Sequence, residues 1–546
     1  MIKLLQKRTR CLLIHPKFSP YSFWNFVEVS KIVGAKYQAA PLGLMTVAAL
    51  LPKDWDIKLI DTNVEPLLDE HFAWADLVFT GGMLPQQIAI LDIINLSHQK
   101  NKPVVVGGPD PTSQPHLYQS ADYLVLGEGE NTIPMFLKDL ANGSKGGEYT
   151  SSEYADMTNA VVPRFDLIKF ENYIHLNIQF TRGCPFNCEF CDIIELYGRK
   201  PRSKTPEQMV KELEALYDLN YRGHIDIVDD NFIGNKKQVK ETLRAIKVWS
   251  KKNKYPFYFG TEASINLADD DELLELMRDV DFRLVFTGLE TPEDEVLEKA
   301  NKKTNMNRSI VEATKKISSY GMVVNAGFII GFDNENGQTA KRMNDFIQDT
   351  GICVAMLGLM YALPNTKLTK RLALEGRLFE ESSIFTDTTT QIDQASSGLN
   401  FITLRPRINI LKDFVDVISY IYTPENYYKR VIDTCLNLKV TNKHKYNFKK
   451  ILKNLRSFSR ILRKVGFNRA TGKQFWKMFF TVLLKNPKAI EWGVSLSAMF
   501  IHFYKHSNFV IDLTNQQIKY IDEYGEDNYN QKRINIAETK VANYAE

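Results

Sequence analysis

Cysteine is scarce in this sequence. Six cysteines occur in 546 residues, and three of them, Cys184, Cys188 and Cys191, stand together. So few cysteines in so long a chain do not form a disulfide framework, which indicates a reducing compartment and a metal or redox site. No run of about 18 uncharged apolar residues occurs either, so no membrane-spanning helix is expected. The segment MIKLLQKRTRCLLIHP interleaves charged with apolar residues, unlike a secretory signal peptide, and we expect a cytoplasmic protein.

An excess of charge of either sign is also absent. The formal net charge is +4, which does not by itself suggest a nucleic-acid partner. Apolar residues make up 44% and charged residues 25% of the chain, values typical of a globular protein. Since 546 residues exceed what one hydrophobic core organises, we expect two or three domains.

The first part of the chain alternates short apolar runs with stretches of helical periodicity. The strand candidates are 11–16, 56–61, 75–82, 103–110 and 121–129, and the helical stretches include 41–52 and 85–100. This order predicts a doubly wound (Rossmann-like) sheet, which binds ligands beyond the carboxyl ends of its strands. Glycine turns at these ends, such as Gly81-Gly82, would let the backbone approach a large flat or anionic ligand. Tight turns in an ordinary α/β domain would explain them equally well.

The middle of the chain repeats this alternation in six longer units. Its strand candidates are 175–180, 224–230, 257–264, 283–290, 323–332 and 354–363. Thr205, Pro206 and Gln208 have the spacing of a capped helix start. Six such units predict a (βα)6 partial TIM barrel, whose chemistry lies at the carboxyl ends of the strands. The polar residues at those ends are Cys184, Asp229, Asp230, Asn231, Glu262, Ser264, Glu290, Asp333, Tyr361 and Asn365. Taken singly, each carboxylate could equally be a helix cap or a solvated loop end.

The three clustered cysteines follow the first of these strands. Three thiolates on one loop can hold an iron–sulfur cluster and leave one iron open to a substrate. A structural zinc site needs a fourth ligand, and Cys11, Cys353 and Cys435 stand alone in the sequence. His175 lies at the far end of the strand. Zinc or an inert thiol group stays the alternative.

The motif C-x-x-x-C-x-F-C after the first strand of a six-unit barrel resembles the radical S-adenosylmethionine (SAM) enzymes. The resemblance implies a [4Fe-4S] cluster on Cys184, Cys188 and Cys191, with SAM on the open iron as the source of a 5′-deoxyadenosyl radical. It also implies SAM contacts from a set of residues at the strand ends. These are Phe190, Asp229, Asp230, Asn231, Glu262, Ser264 and Glu290. No residue is assigned a catalytic role beyond these.

A doubly wound domain before such a barrel resembles the cobalamin-binding subclass of the family. The resemblance implies a bound cobalamin (B12), as methylcobalamin, contacted by one loop segment and by the glycine turns. These residues are Pro41, Leu42, Gly43, Gly81, Gly82, Gly107, Gly108, Gly127 and Gly129. The nearest match to a cobalt-ligating motif, Asp69-x-His71, lacks its glycine and precedes the wrong strand, so we expect no protein histidine on the cobalt. A scaffolding domain without a corrinoid stays the alternative.

Longer runs resemble the hopanoid C-2 methylase group and its uncharacterised relatives. They include CEFCDIIELYGRKPRSKTPEQM and MYALPNTKLTKRLALEGRL, and the resemblance covers about residues 10–380. It implies methyl transfer to an unactivated carbon, with a hopanoid-like lipid as substrate and an external electron donor of the flavodoxin or ferredoxin type. The alternatives are another substrate, carbon–carbon bond formation or rearrangement without methyl transfer, and a corrinoid-binding regulator.

After residue 380 the strand alternation stops, and helical periodicity follows. Residues 443–510 are rich in basic and aromatic residues, as in HKYNFKKILKNLRSFSRILRKVGF. Such helices form a lid on the barrel, or a lid that also contacts an anionic membrane surface. Nucleic acid is not expected, because no additional RNA-binding module is visible. The predicted organisation is a cobalamin-binding domain (1–150), a radical SAM core (165–380), a helical C-terminal domain (381–525) and a polar tail (526–546).

Overall fold

The computed structural model describes residues 8–18, 22–379, 397–445 and 448–530. In chain order its strands are β1 (Arg10–His15), β2 (Tyr37–Ala39), β3 (Asp56–Asp61), β4 (Leu77–Gly81), β5 (Val104–Gly107), β6 (Tyr123–Val125), β7 (Gly147–Tyr149), β8 (Tyr173–Ile178), β9 (Thr181–Arg182), β10 (Arg202–Ser203), β11 (Gly223–Ile227), β12 (Phe257–Glu262), β13 (Phe282–Glu290), β14 (Val323–Ile330) and β15 (Ala355–Leu359).

The helices of the described residues flank two parallel sheets and then form a bundle of their own. They are α1 (Val27–Val33), α2 (Leu42–Leu50), α3 (Asp69–Trp74), α4 (Gln87–Gln99), α5 (Pro109–Ser113), α6 (Gly129–Ala141), α7 (Ile193–Tyr197), α8 (Pro206–Asp218), α9 (Lys236–Lys252), α10 (Asp271–Asp279), α11 (Asp294–Lys299), α12 (Ile310–Ser319), α13 (Thr339–Thr350), α14 (Lys367–Leu374), α15 (Arg407–Ile421), α16 (Pro424–Asn437), α17 (Phe448–Ile461), α18 (Gly472–Lys485) and α19 (Ile490–Tyr524).

The N-terminal sheet has six parallel strands in the order β3-β1-β4-β5-β6-β7. Its inner strands are continuous apolar runs such as CLLI in β1, buried on both faces between helices. The strand order reverses between β1 and β4, and a doubly wound sheet binds its ligand in the crevice beside that point. The predicted doubly wound fold is confirmed.

The second sheet is parallel and has the order β15-β14-β13-β12-β11-β8-β2. Its first six members are the six predicted barrel strands, adjacent in the order in which they follow along the chain, so the predicted (βα)6 partial barrel is confirmed. The seventh member was not predicted: β2 comes from the N-terminal part of the chain and pairs Tyr37 with Tyr173 and Ala39 with His175. A strand of three residues is too short for an apolar alternation to reveal it.

The helix α8, the second one after the cysteines, begins where the sequence predicts. The Thr205 side chain caps α8 by accepting the backbone N–H of Gln208, and the Gln208 side chain accepts the N–H of Thr205 at 2.7 Å. Pro206 occupies the first helical turn, where a missing N–H costs nothing. The helix buries Met209, Leu213 and Leu216 against the outer face of the sheet.

The C-terminal region is helical, as predicted, over its described residues. The 35-residue α19 packs on α15, α16 and α18 and reaches back to α1. Phe503 of α19 stacks on Phe23 with ring centroids 4.7 Å apart, which joins this bundle to the N-terminal segment beside the barrel. Among the described residues, no helix has the length and apolar character needed to span a membrane.

Candidate active site

The three clustered cysteines lie on the loop that follows β8 and β9. Gly183 begins this loop with φ +88°, and a Cβ there would lie 2.9 Å from the carbonyl oxygen of Gly198, so only glycine fits. Backbone bonds hold the loop from both sides: Cys184 N–H donates to Gly198 and Glu189 N–H to Ala300. The backbone of the loop is therefore tied to the rest of the fold at two points.

All three cysteines are free thiols, and protein surrounds them. Burial raises the pKa of Cys184, Cys188 and Cys191, while the positive charge of Lys302 lowers all three. Within the described chain, no three His, Cys, Asp or Glu side chains converge on a single-ion site. Thiolates of a cubane each bind a different iron, and a bound metal deprotonates its thiols outright. The donor chemistry of this loop therefore fits an iron–sulfur cluster.

Two carboxylates at the end of β11 brace the start of the cysteine loop. Asp229 accepts the backbone N–H of Phe180 at 2.7 Å, and Asp230 accepts that of Gly183 at 2.9 Å. Burial raises the pKa of Asp229 to about 8 and that of Asp230 to about 6. The other oxygen of Asp229 is buried and has no hydrogen-bond partner in the structure. Their predicted contact with SAM stays a prediction, because both bond the backbone here.

Asn231 and Ser264 bring the ends of β11 and β12 together beside a cysteine. The Asn231 amide lies 3.2 Å from the Ser264 hydroxyl and donates toward the Cys184 sulfur at 4.0 Å. Glu262, two residues before Ser264, lies on the interior face of the barrel and is exposed there. Burial by the surrounding wall raises its pKa to about 7, and Asp230 and Asp226 contribute to this rise. Asn231, Ser264 and Cys184 thus lie together at the carboxyl ends of the strands, and their contact with SAM stays a prediction.

Glu290 at the end of β13 forms an ion pair that the sequence analysis missed. Its carboxylate accepts from the Lys302 ammonium at 2.8 Å, and its backbone has φ +63°, a strained value for a non-glycine residue. The same ammonium lies 5.9 Å from the ring centroid of Phe190, which packs edge-on against Phe332. Lys302 thus places its charge close to the cysteine loop, and no spacing motif in the sequence points to it.

The glycine turns of the N-terminal sheet meet at its carboxyl edge, but their neighbours differ. A Cβ on Gly81 would lie 2.1 Å from the carbonyl oxygen of Gly107, and one on Gly108 2.9 Å from the nitrogen of Gly82. These glycines are required by the close approach of neighbouring strand ends. A Cβ on Gly43 or Gly127, in contrast, would have no neighbouring atom within 4 Å. Open positions beside crowded turns leave room at this edge for a large ligand such as a corrinoid.

The remaining predicted contacts flank this edge. Pro41 is buried and Leu42 partly buried at the start of α2, while Gly82 lies against the Gln86 side chain and Gly129 against Ile133. His15, which the sequence analysis did not consider, ends β1 at the point where the strand order reverses. Burial lowers its pKa, so the imidazole is neutral near pH 7. The absence of a histidine ligand to cobalt stays a prediction.

Family models match both sheets. The model described as "B12 binding domain" matches residues 32–137, and "Radical SAM superfamily" matches residues 178–347. A third, "Domain of unknown function (DUF4070)", matches residues 366–516. An uncharacterised methyltransferase of Synechocystis sp. is 40% identical over 513 residues, which cover 93% of this chain and 94% of that protein.

The chain belongs to the cobalamin-dependent radical SAM methyltransferases. Its cofactors are a [4Fe-4S] cluster, SAM and cobalamin. A second relative, the hopanoid C-2 methylase of Rhodopseudomonas palustris, is 34% identical over 494 residues, which cover 88% of this chain and 90% of that enzyme. The predicted family is therefore confirmed over most of the chain.

Two solved structures share the fold of this radical SAM methyltransferase. The cobalamin-dependent SAM radical enzyme OxsB, with aqua-cobalamin bound, superposes with a TM-score of 0.58 at 16% identity and covers 98% of this chain and 85% of its own. The methyltransferase TsrM from Kitasatospora setae, with tryptophan and a SAM analogue bound, gives a TM-score of 0.57 at 15% identity and covers 84% and 99%. At these identities the likeness concerns the fold alone.

Proposed function

We propose that this enzyme transfers a methyl group to an unactivated carbon of a hopanoid-like lipid. The observation that carries the proposal is the 34% identity with the hopanoid C-2 methylase over nearly the full length of both chains. The cofactors supply a carbon-centred radical and a methyl donor, which such a carbon requires because no base can deprotonate its C–H bond. The protein's part is to bind, orient and shield the substrate.

One side of the barrel interior is largely apolar and supports a lipid substrate, whereas the side formed by β11 and β12 carries Asp226 and Glu262. Positions that alternate with the buried outer face include Val228, Leu284, Phe286, Ile329 and Met356. Val228 keeps 37% of its surface exposed, although it lies directly after a strand at the centre of the sheet. A Cβ on Gly358 would meet nothing within 4 Å, so the interior has room. The Trp24 ring approaches Phe286 to 5.2 Å and closes one side against water.

The chain's own groups prepare the site before a substrate arrives. Asp229 and Asp230 hold the backbone that leads into the cysteine loop, and Lys302 places a positive charge beside the three thiols. Asn231 and Ser264 fix the neighbouring strand ends through their mutual hydrogen bonds. We propose that Cys184, Cys188 and Cys191 hold the cluster and that the other predicted strand-end residues form the wall around SAM. Electrons would come from an external donor of the flavodoxin or ferredoxin type.

The test is a lipid profile. The gene is expressed in a hopanoid-producing host that lacks C-2 methylation, with cobalamin supplied, and the hopanoids are examined by mass spectrometry. We expect hopanoids heavier by one methylene unit, and none when Cys188→Ala replaces the wild type. An unchanged profile from protein that carries cluster and cobalamin would move the substrate outside the hopanoids. Release of S-adenosylhomocysteine, which methyl transfer produces, separates this reaction from carbon–carbon rearrangement.

We also infer that the C-terminal region contacts an anionic membrane surface. On α17, Phe448, Ile451, Leu452 and Leu455 share one face and are 42–73% exposed. On α18, Phe480, Leu483 and Leu484 are 41–82% exposed. One ring contact connects the two helices: Phe458 of α17 stacks on Phe479 of α18 with ring centroids 6.2 Å apart. We refer to these seven exposed residues as the apolar patch.

The charge around the apolar patch favours anionic lipid. The sequence has no Asp or Glu between Asp433 and Glu491, whereas Lys and Arg recur throughout this stretch. Basic residues near an anionic membrane each contribute about 1 kcal/mol of attraction. Five of the seven residues of the apolar patch are Leu or Ile, which suit acyl chains and cannot stack on bases, and this composition disfavours a nucleic acid as partner.

Vesicle binding of the full chain tests the membrane surface. Leu455→Asp and Leu484→Asp should each weaken sedimentation with phosphatidylglycerol vesicles, and high salt should weaken that of the wild type. Leu374→Asp is the matched control, because Leu374 on α14 is 91% exposed outside the apolar patch. Equal binding of all four proteins, or equal binding to neutral phosphatidylcholine vesicles, would contradict the inference.

A further inference from the structure

Four charged side chains form a nearly buried ion network between the two sheets. Arg182 donates to Glu128 at 2.8 Å through one terminal nitrogen and to Glu130 at 2.8 Å through the other. Arg202 donates to Glu128 at 2.9 Å and to the carbonyl oxygen of Ala155 at 2.6 Å. The side chains of Glu128 and Arg182 are only 3% and 13% exposed. Burial alone would raise the pKa of Glu130, but the bond from Arg182 lowers it, so the network is charged.

The two ends of this network lie next to the two cofactor regions. Glu128 stands between Gly127 and Gly129, in the turn that follows β6 at the carboxyl edge of the B12-binding domain. Arg182 ends β9 and directly precedes Gly183 and the first cysteine of the cluster loop. One side chain, that of Arg182, thus connects the cobalamin-side turn to the start of the cysteine loop.

The cysteine side of the network is braced independently. The Gly183 N–H donates to Asp230 of the loop after β11, and Arg182 also donates to the Gln179 side chain at 2.8 Å. Arg202 belongs to β10, which pairs antiparallel with β9, so both arginines lie on one two-stranded sheet, and the cysteine loop is part of the connection between its strands. The planar guanidinium group of Arg182 bonds both glutamates with a fixed geometry that a lysine could not reproduce.

We propose that Arg182 and its partners set the distance and orientation between the cobalamin and the cluster-bound SAM. Buried ion pairs contribute little net stability, and their better-attested use is to specify one arrangement. Methyl transfer requires that arrangement, because a displacement of about 1 Å in a reacting pair can cost about 10²-fold in rate. Arg182 is in this view a positioning residue that touches neither cofactor. The inference rests on the family and its cofactors and is independent of the substrate.

The test measures the distance between the two cofactors directly. The holoenzyme is prepared with reduced cluster and cob(II)alamin, which are both paramagnetic, and pulsed electron paramagnetic resonance gives the distance distribution between them. We expect one narrow distribution for the wild type, a broader and shifted one for Arg182→Gln, and an intermediate one for Arg182→Lys. Arg244→Gln is the matched control, since Arg244 pairs with Glu272 on the outer helices.

Iron and cobalamin contents must be equal in all samples, so that a change reports position and not occupancy. If Arg182→Gln does not fold, Glu130→Gln decides, because it removes half of the network and keeps the bonds to Glu128. If the folded variants give a distance distribution with the same width and the same mean as the wild type, the proposal is overturned. Loss of hopanoid methylation with an unchanged distance distribution would do the same, and a failed hopanoid assay in the wild type would leave the distance result standing.

Discussion

The two parallel sheets of this enzyme present different chemistry at their carboxyl edges. The N-terminal sheet ends in glycines, where main-chain atoms crowd so closely that a Cβ on Gly81 would lie 2.1 Å from a carbonyl oxygen. The barrel sheet ends in side chains: Asp229, Asp230 and Glu262 all have raised pKa values there. Both edges point toward the same interface, which the Glu128–Arg182 ion pair crosses.

The two edges differ because each suits a different cofactor. A corrinoid is large and flat, and a surface of backbone fits it without directed side-chain bonds. A cluster with SAM needs soft thiolate donors and polar groups held at defined points. The comparison therefore predicts that changes at the barrel edge affect the cluster alone, and that changes at the glycine edge affect cobalamin alone.

The largest expected effect is at the barrel edge. Replacing Cys188 with Ala should abolish the cluster and 5′-deoxyadenosine formation, because a thiolate ligand cannot be replaced by a methyl group. Cobalamin binding should persist. Iron content and cobalamin absorbance of the purified variant are the measurements, with Cys353→Ala as the control because Cys353 lies in the core outside the loop. Loss of cobalamin together with iron would show that the two edges are not independent.

The next largest effect is expected at the glycine edge, where cobalamin binding should weaken and the cluster should be retained. Gly81→Ala places a methyl group against the backbone of Gly107 and should destabilise the N-terminal sheet by about 1–3 kcal/mol. We expect a lower thermal midpoint and weaker cobalamin binding with the cluster retained. Gly337→Ala is the control, because Gly337 faces open space on a barrel loop. A variant with the stability of the wild type would contradict the crowding that the structure places at this edge.

Sequence alone predicted the strands of both sheets well, because buried parallel strands are continuous apolar runs bounded by Gly, Asp or Pro. The sequence also predicted that Asn231 and Ser264 lie at the same edge of the sheet as the cysteines. It missed β2 and β7, which have three residues each and are too short to show a period, and it missed Lys302 and Arg182. These two act through partners about 12 and 54 positions away along the chain. No local spacing encodes such a pair; only the folded topology brings the partners together.

A smaller effect is expected in the pH dependence of stability, through Asp229 at the barrel edge. The pKa of Asp229 is about 8 in the folded enzyme, against 3.8 for an ordinary aspartate. The folded state therefore keeps a proton that the unfolded chain has lost, and stability falls as pH rises from about 4 to about 8. Asp229→Asn should flatten this decline, because the amide stays neutral and still accepts from Phe180.

Denaturant unfolding of the wild type, Asp229→Asn and Glu241→Gln at several pH values makes the comparison. Glu241 lies exposed on α9, far from the barrel edge, and its variant should follow the wild-type curve. Parallel curves for all three proteins would contradict the prediction, because they would mean that Asp229 has the same pKa in the folded and the unfolded state.

The smallest change in stability gives the sharpest test of the cobalamin surface. Gly43 is exposed in the first turn of α2, and a methyl group added there would have no neighbour within 4 Å. Gly43→Ala should stabilise the helix by about 0.5–1 kcal/mol, since alanine loses less backbone entropy on folding. If the open space belongs to the corrinoid, the same methyl group must weaken cobalamin binding, so stability and affinity would move in opposite directions. Calorimetric unfolding and cobalamin titration on one protein sample measure both. An unchanged affinity would mean that Gly43 does not contact cobalamin, and the crowded glycine turns would then have only a structural role. A weaker affinity in a more stable protein has no structural explanation other than a ligand at that surface.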